Sequence, residues 1–91
     1  MRERQVERAL VDGVRAKGGI CAKWVAPGQR GVPDRIIVIK GKVFFVELKS
    51  PTGKLEPWQM RFIQRLKDQG RWVYVLRNLK EVKDFVNEVL P

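Results

Sequence analysis

The 91 residues are 44% hydrophobic and 32% charged, which fits one globular domain over 1–91 and leaves no room for two. There is no histidine, so His-based zinc sites, Ser-His-Asp triads and His general bases are excluded, and the single cysteine, Cys21, excludes an internal disulfide. No apolar run reaches the ~18 residues of a membrane span and no signal peptide opens the chain, so a cytoplasmic protein is expected. Nineteen Lys and Arg against ten Asp and Glu give a net charge of +9, which favours encounter with a polyanion, nucleic acid first.

Residues 3–17 read as a helix, because Val6, Leu10 and Val14 recur at a spacing of four beside Ala9 and Val11. Gly18-Gly19 stops it. Residues 20–25 form a short strand. Residues 26–33, with two prolines and two glycines, form a loop. Residues 35–39 form a strand whose unbroken apolar run suggests burial on both faces. Lys40-Gly41 is a turn, and 42–49 is the next strand. Ser50 to Gly53 breaks it. A helix follows over 57–69, with Pro57 in its first turn and Gly70 after its end. Residues 71–76 form a fourth strand. Asn78 caps a last helix, with Glu81 placed for a capping box. Its apolar stripe is Val82, Phe85, Val86, Val89 and Leu90. The order is α-β-β-β-α-β-α. A right-handed crossover makes the fourth strand parallel to the third, giving an α/β fold with a mixed four-stranded sheet flanked by helices. So small a core makes a homodimer a fair expectation.

The acids on the strands carry the chemical information. A two-residue turn at Lys40-Gly41 sets Ile39 opposite Lys42. Counting back along both strands sets Asp34 opposite Glu47, with Cβ atoms ~4.5–5.5 Å apart. Glu47 and Lys49 share a face. Two carboxylates this close repel and resist desolvation. Either Lys49 or a hard dication such as Mg²⁺ or Mn²⁺ must stabilise them. The plainer reading is that Asp34 caps the loop and Glu47 pairs with a cation of the chain. Glu7 and Glu3 lie on or beside the stripe of the first helix and offer a third acid. Stepping back along Phe62, Ile63 and Leu66 brings Gln59 inward, either to bond free backbone groups or to orient a ligand. Trp24 and Trp58 fit the edge of the core better than a base-stacking role.

Pro33-Asp34 followed by Glu47-Leu48-Lys49 resembles the PD-(D/E)xK nuclease signature. Gly31-Val32-Pro33-Asp34-Arg35, Phe45-Val46-Glu47-Leu48-Lys49 and Gln59 together resemble the VRR-NUC (virus-type replication-repair nuclease) family. The resemblance spans nearly the whole chain and implies a restriction-endonuclease-like core. It implies a catalytic set of Glu7, Asp34, Glu47, Lys49 and Gln59, with Glu3 as the second candidate for the helix acid. Asp34, Glu47 and the backbone carbonyl of Leu48 would bind Mg²⁺ or Mn²⁺, with Glu7 a further candidate ligand. Stand-alone phage and bacterial members of the family look like homodimers that cut branched DNA, four-way (Holliday) junctions included. A bacterial host cytoplasm is therefore the expected setting. Lys23, Arg30, Arg35 and Lys54, at strand ends or on loops near the acids, are the candidate DNA contacts. The competing reading is a non-catalytic dimeric DNA-binding module, which leaves the facing acids unexplained.

Overall fold

The computed structural model describes residues 3–91. Helix α1 (Glu3–Ala16) precedes β1 (Ile20–Lys23), β2 (Arg35–Ile39) and β3 (Lys42–Leu48). Helix α2 (Pro57–Asp68), β4 (Trp72–Leu76) and helix α3 (Leu79–Asp84) follow, and α3 runs into a π-helical turn over Phe85–Val89. The sheet order is β1-β2-β3-β4. The first three strands are antiparallel neighbours and β4 runs parallel to β3. The mixed sheet and the element order are those expected from the sequence.

The helix ends follow their glycines. After α1, Gly18 takes φ 85° and the N–H of Gly19 reaches back to the carbonyl of Val14 at 3.0 Å. This Schellman closure satisfies carbonyls that an abrupt end would strand. Gly70 closes α2 in the same way, with the N–H of Arg71 donating to Leu66 at 3.0 Å. Asn78 caps α3 by accepting from the N–H of Glu81 at 2.8 Å. The Glu81 carboxylate reaches past the cap to the N–H of Arg77 at 2.7 Å, so the reciprocal half of the expected box lands one residue early.

One face of the sheet carries the main core. Val6, Leu10 and Val14 of α1 and Val82, Phe85 and Val86 pack with Ile37, Ile39, Phe44, Val46, Leu48 and Leu76. The π turn changes the stripe of the last helix. It inserts an extra residue per turn, so Leu90 is buried while Val89 is exposed. The ammonium of Lys17 ties the segment to α1 by donating to the carbonyls of Val86 and Leu90 at 2.7 and 3.0 Å.

The other face is covered unevenly. β3 is buried on both faces from Phe44 to Leu48. β2 is not, and here the expectation of two-sided burial fails: Ile37 and Ile39 are buried, Ile36 is half-buried and Val38 is exposed. The cause is the position of α2, which packs at the β4 side of the sheet. Ile20, the partner of Val38 on β1, is 62% exposed.

Candidate active site

The Lys40-Gly41 turn has positive φ at both residues, 48° and 76°, the conformation of a two-residue hairpin turn. It fixes the register Ile39↔Lys42 through Arg35↔Val46. One step further along the same ladder, Asp34 stands across from Glu47. Both point to the face that carries α2, because side chains alternate along each strand. Asp34 Oδ2 accepts the backbone N–H of Leu48 at 2.8 Å. The aspartate thus grips the neighbouring strand beside the glutamate that it faces.

Glu47 is the buried charged residue of the core, with 5% of its surface exposed. Burial, and then the negative charge of Asp34, push its carboxyl up to about 7, while Lys49 pulls in the opposite direction. Lys49 follows at the end of β3, half-buried, its backbone N–H bonded to the carbonyl of Leu76 at 3.1 Å. The guanidinium of Arg77 donates to the carbonyls of Ser50 and Gly53, which holds the chain immediately after Lys49.

Gln59 performs both tasks open to it in the sequence. Its Oε1 accepts the N–H of Glu56 at 2.8 Å, closing the first turn of α2. Its Nε2 donates to Glu47 Oε2 at 2.9 Å. The cap fixes which end of the amide faces the helix, so the donating end must face the glutamate. The loop before Asp34 makes this reach possible. Gly31 has φ 85°, and a Cβ there would stand 2.5 Å from the carbonyl oxygen of Trp58 and 3.1 Å from the Cα of Gln59. Bare backbone lets the loop lie directly on the first turn of α2.

A cleft of about 310 Å³ opens over Asp34 and Leu48, lined also by Glu7, Lys23, Trp24 and Pro33. Glu7 therefore shares the cleft with Asp34, but its carboxylate pairs with Arg35 Nε at 3.0 Å. Arg35 also donates to the carbonyl of Cys21, so its guanidinium is turned to α1 and β1. The side chain of Glu3, the other helix-one candidate, lies outside the described residues. Lys23 lines the cleft, and Lys54 is exposed beyond β3. Arg30 stacks on Trp58, 3.7 Å from the ring centroid. Trp24 packs against Phe45 and Phe62 and belongs to the core edge.

The donor set suits a hard dication: one buried carboxylate of raised proton affinity, a second facing it, and the Leu48 carbonyl directly after Glu47 in the chain. Among the described residues no third His, Cys, Asp or Glu completes a ligand cluster with them. Sequence reasoning missed two groups around the site. Arg77 left no signal, since its role depends on where β4 meets the 50–53 turn. Arg61 and Arg65 could have been found, because with Trp58 they repeat at helical spacing.

A sheet with two facing acids at the mouth of its central hairpin, followed by a lysine two residues on, is the arrangement of a PD-(D/E)xK nuclease. The model of the VRR-NUC domain family matches residues 3–78, and the chain belongs to that family. It is 44% identical over 90 residues to "Putative nuclease p44" of Acyrthosiphon pisum secondary endosymbiont phage 1, covering 96% of this chain and 97% of that protein. A solved VRR-NUC domain superposes with a TM-score of 0.88 at 28% identity, covering 94% of this chain and 95% of the other. Family and fold thus agree with the resemblance carried by the motifs.

Proposed function

We propose that this nuclease is a Mg²⁺- or Mn²⁺-dependent DNA endonuclease, selective for branched DNA such as four-way junctions and active as a homodimer. One observation carries the reading: the buried Glu47 of β3 faces the exposed Asp34, just before β2, in a protein of charge +9. A binding module gains nothing from paired acids, which repel phosphate. A phosphodiester hydrolase needs them.

Asp34, Glu47 and the Leu48 carbonyl would hold the dication, with Glu7 joining only if Arg35 releases it. When bound, the ion polarises a phosphoryl oxygen and lowers the pKa of water. Asp34 is braced by the Leu48 N–H and Glu47 by Gln59, so each carboxylate presents its second oxygen from a fixed position. Glu47 must give up its proton to ligate, which makes cation uptake release protons near neutral pH. Lys49 orients the attacking water and stabilises charge at phosphorus. The water oxygen would bond to phosphorus and give up a proton to solvent, the bond from phosphorus to one sugar oxygen would break, and that oxygen would take up a proton from solvent. Lys23 and Lys54 hold the DNA strand near the cleft. Arg35 can join them only at the expense of its pair with Glu7. The small core and the exposed Ile20 and Val38 support the dimer.

The test is incubation with duplex, flap, fork and four-way-junction DNA, with Mg²⁺ or with EDTA. Cutting is expected with Mg²⁺ alone and fastest on a branched substrate. Lys49→Ala should abolish cutting and leave binding nearly intact. Wild-type cleavage by both Asp34→Ala and Lys49→Ala would overturn the assignment.

A further inference from the structure

The loop before Gly31 and the outer face of α2 enclose a second recess, of about 410 Å³, that the reaction above does not use. Arg30, Trp58, Arg61, Phe62 and Arg65 line it. The four helix residues repeat at three- and four-residue spacing, so they form one face of α2. Three guanidiniums converge here, and among the described residues none of them is paired with a carboxylate. The guanidinium carbon of Arg30 stands 3.7 Å from the Trp58 ring centroid and that of Arg65 5.4 Å from the Phe62 ring centroid. Contact with a ring leaves the N–H groups of Arg30 and Arg65 available to an acceptor. Like charges gathered in this way call for an anion with several oxygen atoms. A base is a poorer occupant, since the face of Trp58 is already covered by Arg30.

The recess neighbours the acids through the first turn of α2. Gly31 rests on the carbonyl of Trp58, and the next residue, Gln59, bonds Glu47. We infer that this recess is a subsite for the sugar–phosphate backbone of the substrate strand, gripping it beside the linkage that is cut. The inference rests on the nuclease reading for its place beside a scissile bond, and the guanidiniums alone argue for the phosphates.

The experiment measures binding of fluorescent duplex and four-way-junction DNA in EDTA across a salt series. Arg61→Ala/Arg65→Ala is compared with Lys80→Ala/Lys83→Ala, which removes the same charge from exposed positions on α3. Each phosphate contact contributes about 0.9 to the slope of log K against log salt. The arginine double variant should lose about 1.8 of that slope, with affinity reduced ~10-fold or more at moderate salt, and the lysine double variant should keep the wild-type slope. Arg61→Lys/Arg65→Lys keeps the charges and should recover most of the slope. Melting followed by circular dichroism verifies that each variant is folded. Equal loss in the two alanine variants would overturn the inference, since only the diffuse field of the protein would then be at work. Cleavage by the wild type with Mg²⁺ is scored separately. Cutting with an unchanged Arg61→Ala/Arg65→Ala slope defeats the subsite alone, whereas absent cutting defeats the nuclease reading and leaves the slopes to decide whether the recess binds phosphate.

Discussion

With its carboxyl raised to about 7, Glu47 would set proton and the proposed cation in competition for the same oxygens. The raised value also ties stability to pH. The unfolded chain ionises Glu47 near its ordinary value of 4.5, and the folded chain does so only near 7. Between those values the unfolded state holds fewer protons, so stability falls as pH rises and levels off above about 7. Glu47→Gln removes this cost while keeping an acceptor for Gln59. In EDTA the variant should be more stable than wild type at pH ~8, by at most about 3 kcal/mol, and the two should converge below pH ~4.5. Urea unfolding across that range checks both the sign and the window. Gln59 probes the same carboxylate from the helix side. Gln59→Glu keeps an acceptor for the Glu56 N–H but has no donor for Glu47 and adds a like charge beside it. At pH ~8 it should lose ~1–3 kcal/mol of stability while cleavage falls ~10–100-fold. Equal cleavage by Gln59→Glu and wild type would remove Gln59 from the site. The facing acids were legible in the sequence because a two-residue turn fixes strand register by counting. The Glu7–Arg35 pair was not, since nothing in the spacing of either residue says which way a guanidinium turns at a strand end.

At the scale of elements, the loop over 26–33 sets α2 against the hairpin, and its glycines separate two effects. Gly28 and Gly31 both have positive φ, 83° and 85°. A side chain in that conformation costs ~1–2 kcal/mol at either position. At Gly28 a Cβ would meet nothing within 4 Å, but at Gly31 it would collide with the Trp58 carbonyl. Gly28→Ala should therefore cost ~1–2 kcal/mol and leave cleavage intact. Gly31→Ala should cost more than that, and should also lose cleavage because the first turn of α2 must retreat and take Gln59 with it. Thermal unfolding and single-turnover cleavage of the two variants make the comparison, and matching behaviour would show that the contact does not position the site. Elements bounded by Gly, Pro and caps were readable from sequence, since those residues act locally. The one-sided burial of β2 was not. An apolar run is compatible with burial on one face or two, and the choice depends on where α2 lands. The π turn was hidden for a related reason: Val89 and Leu90 are equally apolar, and only packing against α1 selects Leu90.

The whole molecule leaves apolar surface where α2 does not reach. Ile20 and Val38 are cross-strand partners on the edge of the sheet, 62% and 37% exposed, on the same face as Glu47. A 91-residue domain buries a modest fraction of its surface alone, and a second copy is the simplest cover for such a patch. Two side chains fall well short of the ~800 Å² per partner typical of a stable interface, so the proposed dimer contact would have to extend across β1 and the half-buried Ile36. Charge placed at its centre should then be decisive. Val38→Glu, in which the added acid must be desolvated against its own copy, should shift the protein from dimer to monomer in sedimentation, with the melting temperature of the monomer little changed because the position is open to solvent. The functional consequence follows from one active site per chain. A dimer can cut two strands of a four-way junction within one encounter, whereas a monomer must leave and rebind. The Val38→Glu protein should therefore accumulate singly nicked junction where the wild type yields paired cuts, at similar rates for the first nick. A wild type that sediments as a monomer at the concentrations used for cleavage, or a variant that still yields paired cuts, would locate the dimer elsewhere or dispense with it.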